Sequence, residues 1–318
     1  MSKMEKRPAR SSGRVGGAAQ HLMAAAGGAG GSWYVLLEGI AALVREKHPD
    51  LEIRVVEGGG VMNHALVGSG QLPMAICNPP MTVAALQGGA PFPQAFPALR
   101  IGVANLTVNY LHCVVERDLP VQTLEDWLQQ RYPLRLPVDR VGTVDRMTFA
   151  LMLEYFGVTE ADLAAWGGGI LEAESYEAQV ILYGQGAVQG IWQFMGLPSP
   201  SIQQAQAVRP LKILPLPEGL ITHLTSLGWT AADLPAGAYG FVTHPVPSVA
   251  MGTSLGFHAE VPEEIVLAIT QTLCEFPERV QAIHPAAGTF VPARAPQQAG
   301  GPLHPGAERY YRQRGMLP

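Results

Sequence analysis

One unit occurs twice in this chain and limits what it can fold into: an apolar strand, a glycine turn and an amphipathic helix. The first copy is "HLMAAA", the turn Gly27-Gly28-Ala29-Gly30-Gly31, and a helix over about 33–47 whose inner face carries Leu36, Ile40, Leu43 and Val44. The second is "PLRLPVDRVGTVDRMTFALMLEYFG", with the turn at Gly142-Thr143 and a helix that puts Phe149, Met152, Leu153 and Phe156 on one face. A strand that feeds a helix through a short turn packs as a crossover, so the pattern predicts a mainly parallel sheet covered on both faces. Two such units predict two sheets facing a cleft.

The stretches between are consistent with that frame. "LEIRVVE" alternates as a strand does, with Ile53 and Val55 on one side. Gly58-Gly59-Gly60 leads into a short helix, "VMNHALVGSG", and the buried strand "MAIC" is broken at Asn78-Pro79-Pro80 before the helix "MTVAALQGG". Strands are expected over about 99–105 and 108–116. Thr123 with Asp126 three residues on predicts a capping box. "ESYEAQVILYG" reads as a helix, "AVQGIWQF" and "LKILPL" as strands. Pro262 opens a helix, and "GAERYYRQRG" is one closed by glycine. Residues 1–19 read as a flexible tail, polar and basic, with no apolar core of the kind a leader peptide has. From that, an unexported chain, or one whose leader was replaced, is expected.

Composition removes several function classes. With 318 residues, 47% of them hydrophobic and 15% charged, the chain can bury a substantial core. Its net charge of −5 and the lack of basic clusters beyond the first dozen residues argue against nucleic acid. The three cysteines, Cys77, Cys113 and Cys274, are far apart; buried hydrophobes are the expected reading, with one disulfide left open. The nine histidines have no metal-ligand spacing, so no metal and no cofactor are expected.

Enzyme motifs fail in the same way. The sixth position of a dinucleotide fingerprint counted from Gly28 is Trp33 rather than glycine, and no Gly-Lys-Ser or Gly-Lys-Thr follows either turn. There is no Gly-x-Ser-x-Gly, and Asp139 and Asp145, each beside an arginine, read as turn and helix-start charges. Catalysis is not expected. A helix start, by contrast, holds a carboxylate or phosphate on its free N–H groups without a lysine. Gly30 and Gly31 allow close approach, Ser32 adds a hydroxyl, Trp33 supplies an apolar wall, and Arg146 is the expected side-chain cation. A plain turn without a ligand is the competing reading for the glycines, as a surface salt bridge is for Arg146. Trp192 and Tyr239 are cleft candidates, with the core as their alternative.

The segments "GGAGGSWYVLLEGIAALVRE", "VVEGGGVMNHALVGSGQLPMAI", "RVGTVDRMTFALMLEYFGV", "LPAGAYG" and "HPAAGTF…PLHPGAERYYRQRGML" resemble the TAXI-type solute-binding proteins of TRAP transporters, over about residues 20–318. The resemblance implies a type II periplasmic-binding-protein fold, two α/β lobes around a central ligand cleft. One lobe is expected from 20–111 and 247–318, the other from 112–246. It also implies a periplasmic, monomeric receptor that passes a small organic acid, such as glutamate or 2-oxoglutarate, to a TRAP permease. An unexported binding or sensory protein of the same fold is the alternative. By position, Gly30, Gly31, Ser32, Trp33, Gly59, Gly60, Asn78, Thr143, Val144, Asp145, Arg146, Trp192 and Tyr239 are expected to face the cleft. Pro73 and Gln189 stand where the family commonly differs, and the two tryptophans suggest a bulkier or more apolar acid.

Overall fold

The structure is a computed structural model and describes residues 20–29 and 31–318; the expected tail, 1–19, and Gly30 lie outside the described residues. The first lobe begins with β1 (Gln20–Ala25), α1 (Ser32–Lys47), β2 (Leu51–Val56), α2 (Gly60–Gly68), β3 (Met74–Cys77), α3 (Pro79–Gln87) and β4 (Leu99–Val103). The chain then builds the second lobe from β5 (Val108–Glu116), α4 (Leu124–Gln129), β6 (Arg135–Asp139), α5 (Val144–Tyr155), α6 (Glu160–Ala165), β7 (Gly169–Ala173), α7 (Tyr176–Gly184) and β8 (Gly190–Met195). That lobe continues through α8 (Pro200–Val208), β9 (Leu211–Ile213), α9 (Glu218–Ser226), β10 (Thr230–Leu234) and β11 (Val246–Gly252). It returns through β12 (Ser254–His258), α10 (Glu263–Glu275), α11 (Pro277–Gln281) and α12 (Pro305–Gln313). This is the two-lobed α/β architecture that the repeated unit predicts.

Strand polarity differs from the expectation. In the first sheet, ordered β2-β1-β3-β12-β4, only β1 pairs in parallel, with β2 and β3, while β12 runs antiparallel between β3 and β4. The second sheet, β10-β11-β5-β8 with β9 also on β5, is antiparallel at every pairing. Among the strand pairs of the described residues, parallel pairing returns only in β6-β7. The reason is connectivity: β5 leaves one of the segments that cross between the lobes and β11 leads into the other, so the two lie side by side in opposite directions and set the polarity of their neighbours. Gln189 joins the β6-β7 pair to this sheet, since its amide oxygen accepts the Arg135 N–H at 2.9 Å and its own N–H reaches Arg135 O at 3.0 Å. That is a structural use for a residue that departs from the pattern of the family the sequence resembles.

Local rules explain most element ends. Thr123 and Asp126 form the expected capping box on α4, and Thr159 with Asp162 forms another on α6. Asn78 caps α3, with Pro79 as its first residue, so the Asn-Pro-Pro sequence starts a helix as well as ending a strand. The helix faces pack as the apolar spacing requires, Leu36, Ile40, Leu43 and Val44 in one core and Phe149, Met152 and Leu153 in another. All three cysteines are buried and free, which closes the disulfide alternative.

The crossing segments are tied together by hydroxyls. Thr107 and Thr253 approach to 2.6 Å between their Oγ1 atoms, with a backbone bond from Thr253 N to Thr107 O at 3.2 Å. Two side chains feed this pair, the Trp33 indole N–H at 3.2 Å from Thr253 Oγ1 and Asn109 Nδ2 at 3.2 Å from Thr107 Oγ1. The lobes also meet across the cleft, where the Val61 N–H donates to Gly142 O at 3.1 Å.

Candidate functional site

Helices that follow parallel strands start at the strands' carboxyl ends, so the topology gathers helix N-termini at one edge. Between the lobes lies a cleft of about 250 Å³ onto which five helices open. Its walls include Gly31, Ser32 and Trp33 at the start of α1, Gly59 and Gly60 at α2, and Asn78 at α3. From the second lobe come Thr143, Val144 and Asp145 at α5 and Tyr176 at α7. The caps of α1 and α2, Gly31 and Gly59, offer no side-chain acceptor to their helices, and at α2 the Val61 N–H is taken by Gly142 O of the facing lobe. Each N-terminus adds a partial positive charge.

Asn78 is the most informative wall residue. It is fully buried, and its Oδ1 accepts the Met81 N–H at 3.1 Å as the α3 cap. That bond fixes the amide orientation and turns Nδ2 away from the helix, where it finds no acceptor. Of the buried polar side-chain atoms without a partner among the described residues, only Asn78 Nδ2 belongs to a cleft-lining residue. An unpaired buried donor is costly. Behind Asn78, His64 is buried with Nδ1 2.7 Å from Gly60 O and Nε2 3.2 Å from Thr82 Oγ1. Burial pushes its pKa down to about 4, so it is a neutral brace between two helix starts.

The second lobe contributes the charged groups. Asp145 accepts the Phe194 N–H at 2.8 Å on Oδ1, and burial raises its pKa to about 7, with the charge of Asp139 adding to the rise. Asp139, also on the wall, is raised as well, chiefly by burial. Arg140 is exposed, and it is the one side-chain cation among the lining residues.

Several expectations are corrected here. Arg146 does not line the cleft: its guanidinium pairs with Glu160 at 2.5 Å on the outer side of α5. Successive helical residues point about 100° apart, so with Asp145 turned inward Arg146 is carried outward. Trp192 is also not on the wall. It is fully buried, packed edge-on against Phe149 with ring centres 5.2 Å apart, and donates its indole N–H to Asp145 O at 3.0 Å. Tyr239 belongs to the second lobe's interior, where its hydroxyl meets His112 Nε2 at 2.7 Å and accepts the Ser199 N–H at 2.8 Å. The bulky pocket read from two tryptophans therefore reduces to Trp33 alone. Gly30 lies outside the described residues.

The structure adds wall residues that the sequence reading passed over: Asn109, Tyr176, Phe194, Met195 and Met251, with Asp139 and Arg140. Asp139 ends β6 just before a glycine turn, and Ser175 caps α7 immediately ahead of Tyr176, so both positions carried a signal. Phe194, Met195 and Met251 sit in strands and carried none. No group of three or more potential metal ligands exists among the described residues, and no described helix is long and apolar enough to cross a membrane.

Comparison with solved structures agrees on architecture. MatC from Rhodopseudomonas palustris with bound malate superposes with a TM-score of 0.55 at 13% identity, covering 93% of this chain and 98% of that one. A periplasmic transporter gives 0.52 at 12% identity, covering 93% of each. An R. palustris protein with adipate gives 0.50 at 14% identity, covering 93% and 92%. At these identities the likeness establishes the fold, that of periplasmic binding proteins. The sequence itself matches the NMT1-like family over residues 24–315, nearly the whole described chain, and this protein belongs to that family.

Proposed function

We propose that this protein is a solute receptor of the TAXI type that closes its lobes over a small organic acid and delivers it to a TRAP-type permease. The observation that carries the binding reading is Asn78 Nδ2, a buried donor without a partner on a wall where helix N-termini converge. Oxygen of a carboxylate answers both features at once. Arg140 at the rim supplies attraction for an anion on approach. The cleft volume, about 250 Å³, suits a ligand of a few carbons. Family membership and the fold it shares with malate- and adipate-bound proteins support the same class. They also support a place outside the cytoplasmic membrane.

In this reading the lobes divide where the chain crosses, at 104–107 and at 253, so that one sheet belongs to each. Closure is a hinge motion about these segments, and ligand favours the closed form by binding it more tightly. A thermal-shift screen of ligand-stripped protein against mono- and dicarboxylates, amino acids and nucleotides tests the reading. Stabilisation by acids and none by nucleotides is expected. A nucleotide response with silence from every acid overturns it.

A further inference from the structure

His64 is a buried titratable group with partners at two of the cleft's helix starts. It lies on α2, fully buried, its ring set against Phe92 with centres 5.9 Å apart. Burial keeps the imidazole neutral, so it carries one proton. The 2.7 Å contact between Nδ1 and Gly60 O, which can only accept, assigns that proton to Nδ1. Nε2 is left as an acceptor and takes the Asn78 N–H at 3.4 Å, while the Thr82 hydroxyl beside it gives its own proton to Asn78 O at 2.8 Å. One ring therefore holds the first carbonyl of α2 with one nitrogen and the cap residue of α3 with the other.

The two ends of that bridge lead to different places. At Asn78 it reaches the wall residue with the unpaired Nδ2. At Gly60 it reaches the seat of the second lobe: the next N–H, that of Val61, donates to Gly142 O, and a Cβ on Gly60 would lie 2.6 Å from the same oxygen. The Gly142 contact is made only while the lobes are together, so it distinguishes closed from open and is an element that a ligand can bias. A shift of Asn78 toward a ligand oxygen carries its N–H with it, and the rigid ring passes that displacement to the start of α2. We propose that His64 is a positioning residue that couples engagement of Asn78 by the ligand to the seating of Gly60 and Val61 on Gly142, so that capture in the first lobe draws the second lobe shut. The coupling rests on the Asn78 reading above and extends it to closure.

Two conservative variants each keep one end of the bridge. His64→Asn places an amide N–H near the site of Nδ1 and loses the acceptor for Asn78; His64→Gln reaches the site of Nε2 and loses the donor to Gly60. Spin labels on Glu38→Cys and Ile181→Cys, exposed positions on α1 and α7 in opposite lobes, report closure, and the native cysteines are buried. Malate, succinate, glutarate and glutamate are each added to saturation, with affinities from calorimetry. With the acid that binds wild type, the distance between the labels is expected to shorten. In both variants that shortening should fall to about half or less even at saturation, with affinity down about tenfold, the size of ordinary coupling between sites. A brace without coupling lowers the melting temperature and requires more acid, yet closes fully once saturated. Full closure of either variant at saturation therefore overturns the coupling, as does binding to wild type with no change in distance, and the carboxylate reading stands in both cases. If no acid binds wild type, the carboxylate reading falls and the coupling with it.

Discussion

Asn63 holds three cleft loops in register, and its removal gives a measurable penalty. The side chain is fully buried on α2; Oδ1 accepts the Gly59 N–H at 2.8 Å, and Nδ2 donates to Ala26 O at 2.7 Å and to Ile76 O at 2.8 Å. One amide thus ties the loop after β1, the loop before α2 and the end of β3. Asn63→Ala deletes three hydrogen bonds and strands a buried N–H and two carbonyls. At about 1 kcal/mol per bond, with a further desolvation cost for the stranded groups, the loss comes to about 3–5 kcal/mol. Gly58 offers an independent route to the same damage, because a Cβ there would sit 2.1 Å from Asn63 Oδ1. Gly58→Ala therefore displaces the Asn63 side chain, and the double variant should be little worse than either single one. Equilibrium urea unfolding measures all three, with ligand affinity falling in step as the loops loosen. A loss below about 1 kcal/mol in Asn63→Ala, or additive effects in the double variant, refutes the reasoning.

Three further outcomes are expected. Gly60→Ala puts a Cβ 2.6 Å from Gly142 O, so it breaks the Val61–Gly142 contact between the lobes. Affinity should fall about tenfold or more while the melting temperature of the unliganded protein changes little, and unchanged affinity would remove the role given to that contact. Arg146→Ala loses only a partly exposed ion pair with Glu160 and should cost less than about 1 kcal/mol with affinity unchanged, whereas Arg140→Ala should slow association of an anionic ligand, most visibly at low salt. Asp145 has its folded pKa raised to about 7 by burial, so its neutral form favours the fold below the unfolded value of about 3.9, and that contribution is lost as pH rises through 7. Without ligand, Asp145→Asn should accordingly gain stability over wild type as pH rises from 4 to 8, on the order of 2–4 kcal/mol in total; a pH-independent difference between the two would contradict the burial argument.

What was legible in the sequence was local. Thr123 with Asp126, the glycine turns and the apolar spacing of α1 and α5 each depend on neighbours within a few residues, and each element stands where the pattern places it. The glycine loops and Asn78 reach the cleft because strand-to-helix turns open at one edge of a sheet whatever lies opposite. Side-chain direction was not legible in the same way. At the start of α5, Asp145 and Arg146 were both plausible inward residues, and which one turns inward depends on Phe194, 49 positions away from Asp145, offering its N–H. Trp192 and Tyr239 are drawn inward by partners equally remote, Asp145 and Phe149 for one, His112 and Ser199 for the other. The antiparallel second sheet follows from two crossing segments 146 residues apart, Thr107 and Thr253, which no window of local pattern contains.

The central claim is that the cleft binds a carboxylate through the free donor of Asn78. Asn78→Asp tests it directly, because the new side chain still caps α3 through one oxygen but turns a second oxygen, in place of Nδ2, toward the ligand. Calorimetric titration of the best acid from the screen into both proteins should show binding to wild type and a loss of about a hundredfold or more in the variant, with α3 and the melting temperature largely preserved. Equal affinity in the two proteins would contradict the claim and move the ligand, if there is one, away from this wall.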